Sequence, residues 1–163
     1  MLSQNLLPMT QKSKSTIAQN KKAAHNYFLY EQFEAGLVLQ GWEVKSCRTN
    51  HCQIAESHIT IKDQEVWLLN ALISPLQSTC SHFTPLPTRN RKLLLKQKEI
   101  NKLIGLTNQK GFTLVPTKLI WKNNWIKLLF SLAKGRKKHD KRAHLKEQSW
   151  QRDKARAMKK ENI

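Results

Sequence analysis

Phe112-Thr-Leu-Val-Pro-Thr-Lys-Leu-Ile-Trp-Lys122 and Trp125-Ile-Lys-Leu-Leu-Phe-Ser-Leu-Ala133 flank the pair Asn123-Asn124. Both flanks are rich in β-branched, aromatic and large apolar residues, and Asn tolerates the left-handed backbone of a two-residue hairpin turn. The segment therefore reads as a hairpin. Upstream, residues 59–62 and 65–70 flank Asp63-Gln64 with the same spacing, a second hairpin, although Gln is a poor residue for positive φ. Residues 26–39 carry Tyr27, Phe28, Tyr30, Phe33, Leu37 and Val38 and read as a strand or bent pair, with Gly36 at a bend. Residues 91–95 form a short strand. Residues 97–110 place Ile100, Leu103, Ile104 and Thr107 at helical spacing, with Gly111 where a helix would stop. Residues 41–49 fit either an alternating strand or a short helix. Many short strands with one or two helices, and no internal repeats, predict a mainly β protein: a small antiparallel barrel of the oligonucleotide-binding type with flanking helices.

Charge sets the function class. The 163 residues carry a net charge of +18, divided as +4 over residues 1–22, +6 over 23–133 and +8 over 134–163. A chain of this length holds one core, so the division predicts a basic, flexible arm (1–22), a β core (23–133) and a basic tail (134–163). Such a field calls for a polyanion, nucleic acid first and an anionic membrane second. No apolar run reaches the length of a membrane span and residues 1–20 lack the apolar block of a signal peptide. The expected location is the cytoplasm, without membrane association. Cys47, Cys52 and Cys80 are odd in number and lack a close-spaced framework, so they are expected as reduced thiols.

Catalysis finds little support. Glu43-Val-Lys45 resembles half of a metal-dependent nuclease site, but the further acids such a site needs are missing. Cys47, His51, Cys52, His58, Cys80 and His82 are zinc-type donors whose spacing fits no zinc knuckle. With five glycines there is no phosphate-binding loop and no nucleophile turn. No cofactor, no metal and no enzymatic activity are expected. What remains is cations interleaved with aromatics, the chemistry of RNA binding through phosphates and stacking. Arg89-Asn-Arg91-Lys92 stands before the apolar run Leu93-Leu-Leu95, which would hold donors at the end of a rigid element. The tail does not line up one apolar stripe, since Ala143, Leu145, Trp150, Ala155 and Met158 are scattered. It is expected to be disordered when free and to become helical on a polyanion.

Five separated blocks carry a resemblance: Asn20-Lys-Lys-Ala-Ala-His-Asn-Tyr-Phe28, Phe33-Glu-Ala-Gly36, Leu39-Gln-Gly-Trp-Glu-Val-Lys-Ser46, Thr88-Arg-Asn-Arg-Lys-Leu-Leu-Leu95 and Ala133-Lys-Gly-Arg-Lys-Lys-His-Asp-Lys-Arg142. In this order they are similar to the small protein B family, the SsrA-binding proteins of bacterial trans-translation. The resemblance implies a non-catalytic protein that binds the tRNA-like domain of transfer-messenger RNA (tmRNA, SsrA RNA) and delivers it to stalled ribosomes. The core would stand in for the missing anticodon arm. It implies a monomer in a one-to-one complex with tmRNA. Asn20, Glu34 and Leu94 fall at positions that the family uses to grip the RNA, and charge adds Lys45, Arg89, Arg91 and Lys92. In the tail, Lys134, Lys137, Lys138, His139, Asp140, Lys141, Arg142 and Trp150 match positions that probe small-subunit rRNA at the decoding centre and the empty mRNA channel. Where the family commonly reads Ser-Leu-Arg-x-Gly followed by a basic residue and Ala, this chain has Ser46-Cys-Arg-Thr-Asn-His-Cys52, and Leu86-Pro87 replaces Asp-Pro. A structural ribosomal protein, or a generic basic RNA-binding module, is the competing reading of the same charge.

Overall fold

The longest pairing in the protein is the hairpin of β8 (Phe112–Lys122) and β9 (Trp125–Gly135), in register from Lys122↔Trp125 to Phe112↔Lys134. Asn123 and Asn124 both take positive φ, as the two-residue turn requires. The computed structural model describes residues 15–77 and 84–161. Around the hairpin are β1 (Ser15–Gln19), α1 (Lys21–Asn26), β2 (Tyr27–Leu37), α2 (Gly41–Arg48), β3 (Cys52–Gln53), β4 (His58–Lys62), β5 (Glu65–Leu69), β6 (Leu72–Ile73), β7 (Arg91–Leu94), α3 (Gln97–Thr107) and α4 (Lys138–Glu161).

The strands are antiparallel. Their order is β1-β8-β4-β5-β7-β2-β9, and because β9 also pairs with β8 the sheet returns on itself as a ring. β8 shares its far edge between β1, opposite residues 118–121, and β4, opposite Leu114. β3 and β6 form a small separate pair. Closure leaves few unpaired edges, and alternation then fixes what faces inward. In β9, Ile126, Leu128 and Phe130 join the core while Lys127 and Leu129 point outward, and Leu119 of β8, Leu93 of β7 and Val66 and Leu68 of β5 complete the interior. Phe33 stacks on Phe130 with ring centroids 5.6 Å apart.

Most expected elements are present within a residue or two. Asp63-Gln64 makes its turn with both residues at positive φ, so the strand pair imposes a conformation that Gln alone disfavours. The ambiguous stretch 41–49 is a helix, α2, started by Glu43 reaching back to the Gln40 N–H at 2.7 Å.

Two expectations need correction. Residues 15–22, assigned to a flexible arm, form β1 and begin α1; Ile17 and Ala18 pack against the core and the β8 edge supplies the pairing. Residues 1–14 lie outside the described residues, as do Cys80 and His82. The tail boundary also moves. Lys134 and Gly135 finish β9, and Arg136 is tied back by its N–H to Asn26 O at 2.9 Å and by Nε to Tyr27 O at 3.2 Å. Beyond it, residues 138–161 are continuous helix. Straight-chain residues and pairs such as Gln151–Glu147 at 3.0 Å favour it.

Phe130 is fully buried. Phe130→Ala is expected to lower unfolding free energy by about 3–5 kcal/mol in urea titrations.

Candidate nucleic-acid interface

Alternation in the ring carries selected side chains to one outer band. Gln19 pairs with Lys118, Lys118 with Leu129, and Leu129 with Glu34, so these four share a face across β1, β8, β9 and β2. Two residues on, Gly36 pairs with both Lys127 and Leu94, and Lys92 lies two residues before Leu94 on the same face of β7. Glu34, Leu94 and Lys92, named separately from the sequence, thus meet in one band. Lys118, Lys122, Trp125 and Lys127 belong to it as well. Sequence reasoning missed these four, although their outward parity was legible from the hairpin register. Leu94 is 54% exposed and Trp125 71%, so the band offers apolar and aromatic surface between cations.

Glu34 organises the centre. Its carboxylate accepts from Lys122 Nζ at 2.8 Å and from Lys127 Nζ at 2.7 Å. The Lys122 and Lys127 ammonium groups hold its pKa below the usual carboxylate value against some desolvation. Fixing two lysines by one acid leaves the cluster a net cation with limited rotamer freedom. Lys92 is partnered with Glu65 of β5 in the same manner.

Asn20 has a different place. It is buried as the N-cap of α1, where Oδ1 accepts from the Ala23 N–H at 3.1 Å and Nδ2 donates to Pro116 O at 3.0 Å. Its backbone N–H also reaches Thr117 O at 2.8 Å. Asn20 therefore fixes the junction of β1, α1 and β8 beside the band's Gln19 end.

The arginine cluster is where expectation and geometry part. Glu43, with no exposed area, accepts at Oε1 from Arg91 Nε at 2.8 Å and Arg89 Nε at 2.9 Å, and at Oε2 from Arg89 Nη2 at 2.5 Å. Arg91 Nη1 donates to Ala71 O at 2.6 Å and Nη2 to Pro87 O at 2.9 Å. Arg91 faces inward because its β7 neighbour Lys92 faces outward. Its guanidinium is wholly enclosed, so direct phosphate contact by Arg91 is corrected to a structural pairing. Burial lowers the Arg91 pKa, an effect that Glu43 opposes. Arg89 is partly exposed and also donates to Val38 O at 3.0 Å. Lys45 is exposed on α2, about 200° around the helix from Glu43, so the two do not share the face that a strand would have given them. Among the described residues no group of three or more His, Cys, Asp or Glu could hold a metal ion.

At the root of the tail, Arg136 lies 4.1 Å from the Phe28 ring centroid and Lys134 lies 5.7 Å from that of Phe112, which meets Tyr30 edge-on. Lys137 is exposed, Lys138, His139, Asp140 and Lys141 form the first turn of α4, and Arg142 follows, exposed. Trp150 is exposed, with Lys154 Nζ 5.4 Å from its ring centroid. No helix among the described residues is long and apolar enough to cross a membrane.

Comparison with known proteins gives a family match over most of the sequence. The SmpB protein family pattern fits residues 17–160. The chain belongs to the SmpB family. A solved structure described as "tmRNA-SmpB: a journey to the center of the bacterial ribosome" is similar at 39% sequence identity and a TM-score of 0.61, covering 74% of this chain and 84% of that one. The family match spans the outer band, the Glu43 cluster and most of α4.

Two outcomes test the electrostatics. Glu43→Gln leaves two arginines without their counter-charge, one fully enclosed, and is expected to cost about 3–5 kcal/mol in urea unfolding, whereas exposed Lys45→Gln should stay within about 0.5 kcal/mol. Glu34 has a folded pKa below its unfolded value, so its contribution is complete above the ordinary carboxylate pKa and is lost as pH falls through the lower folded value. Glu34→Gln should therefore show a shallower stability loss than wild type when unfolding is followed from pH 6 down to pH 3.

Proposed function

We propose that this protein binds the tRNA-like domain of tmRNA and carries it to stalled ribosomes in trans-translation. The observation that carries the reading is the family match over residues 17–160, joined to a cationic, partly apolar outer band on the β ring. The ring is a barrel of the oligonucleotide-binding type, and its outer band is a fixed surface for a folded RNA. Phosphates meet Lys118, Lys122, Lys127 and Lys92, with Leu94 and Trp125 supplying contact to sugar or base faces. Glu34 acts by holding its lysines in register and Asn20 by fixing the β1–α1 corner. Lys45 and Arg89 lie on the Glu43 side and add to the field. Arg91 acts through Arg89 and Glu43 rather than by contact.

The tail has the other task. A helix rich in cations, with Trp150 exposed, suits a channel of rRNA phosphates, where residues 137–142 reach the decoding centre and the remainder follows the empty mRNA path. The role is non-catalytic and uses no metal or cofactor. The protein works in the cytoplasm, as a monomer in a one-to-one complex with tmRNA.

Truncation after Lys137 keeps β9 and its Arg136 ties intact. It should leave tmRNA affinity within about threefold of wild type while abolishing peptide tagging on ribosomes stalled without a stop codon; a larger loss of affinity would place the tail in the RNA grip. Leu94→Asp, at an exposed position, should keep stability yet weaken tmRNA binding by about tenfold or more. Lys118→Gln with Lys127→Gln should flatten the salt dependence by about 0.7 to 0.9 in slope for each phosphate that is no longer neutralised.

A further inference from the structure

We propose that Cys47 and Cys52 are a modification site, a dithiol that a small peroxide converts to a reversible disulfide. Cys47 is the penultimate residue of α2 and Cys52 opens β3. Between them Asn50 takes φ 59° and reverses the chain, its N–H bonded to Cys47 O at 3.1 Å and that of His51 to Ser46 O at 2.9 Å. The fold-back puts the two side chains in hydrogen-bond contact, both reduced, both in the core, with exposures of 0% and 8%. These are two of the positions at which the sequence departs from its family pattern, and the chain places thiols at both.

The surroundings assign the roles. The Cys47 thiol donates its hydrogen bond to Cys52, and Arg91 adds positive charge; together they lower the Cys52 pKa against burial, while the same hydrogen bond and desolvation raise that of Cys47. Cys52 is also the more exposed of the two, 8% against 0%, so it is the thiol that meets an oxidant first and acts as the nucleophile. Cys47, the resolving thiol, borders a surface concavity lined by Ser15, Ile17, Arg48 and Trp121. Deep burial disfavours a bulky oxidant. Cys52 sulfur attacks one oxygen of hydrogen peroxide, breaking the O–O bond and releasing hydroxide. The resulting sulfenic acid is attacked by Cys47 sulfur, forming the S–S bond and expelling its oxygen as water. The Cys47 proton is taken up in the process and the hydroxide receives the proton Cys52 gave up. In sum, two thiols and one peroxide give one disulfide and two waters, with two electrons passing from sulfur to oxygen. The bond joins the helix that carries Glu43 to the β3–β6 pair.

The test uses the full wild-type chain, treated with hydrogen peroxide, alkylated in denaturant, digested with trypsin and mapped by mass. Cleavage after Lys45, Arg48, Lys62 and Arg89 puts Cys47 in residues 46–48, Cys52 in 49–62 and Cys80 in 63–89. The expected product is 46–48 disulfide-linked to 49–62, released by dithiothreitol. Cys47→Ser should instead leave Cys52 as a sulfenic acid trapped by dimedone. Full alkylation of both thiols after peroxide, oxidation of Cys52 to sulfinic acid without a linked peptide, or linkage to 63–89 would each overturn the proposal.

Discussion

The carboxylate of Glu43 is the fixed point around which the molecule is arranged. It lies without solvent exposure on α2, accepts from the Gln40 N–H that starts its own helix, and holds Arg89 and Arg91 at the entry to β7. Arg91 in turn reaches the carbonyls of Ala71 and Pro87, so one acid joins α2, the chain after β5 and the run into β7. A buried carboxylate facing two guanidinium groups is tolerable because nearly every donor has an acceptor, and removing either side leaves an uncompensated charge in the interior. Such a cluster specifies position more than it stabilises.

The outward surface follows from that position. With Arg91 pinned inward, strand alternation turns Lys92 and Leu94 outward beside Gly36 and Glu34 of β2. The closed order of strands then extends the same face through β9 and β8 to Gln19. The band is rigid because backbone ladders set its spacing and because Glu34 restrains Lys122 and Lys127. The tail leaves from the opposite logic: Arg136 ties it at Asn26, Tyr27 and Phe28, after which the described side chains of α4 are mostly exposed. In the proposed function, a fixed surface for a folded RNA and a cationic helix for a channel are different physical tasks, divided at residue 137.

Strand existence was legible from composition, and both two-residue turns from their spacing, because these are local properties. The parity of β8 and β9 was also in the sequence, but knowing that Lys118, Lys127 and Glu34 share a face needs the pairing of β9 with β2, which is non-local. β1 could not be read for the same reason. Five residues of low hydrophobicity become a strand only because β8 offers an open edge. The assignment of Arg91 to phosphate contact failed on a single alternation, since a basic run at the start of a strand necessarily sends one of two neighbours inward. The Glu43–Lys45 spacing misled in the same way: period two holds in a strand and not in α2.

The central claim is that a preformed outer band recognises one folded RNA rather than polyanions at large. The most direct measurement is the affinity of the full chain for the tRNA-like domain of tmRNA against an ordinary tRNA, at physiological salt and across a salt series. The account predicts a clear preference for the tRNA-like domain that persists as salt rises, since shape and Leu94 contact are not screened. Equal affinities that fall together with salt would contradict it and leave a generic basic RNA binder.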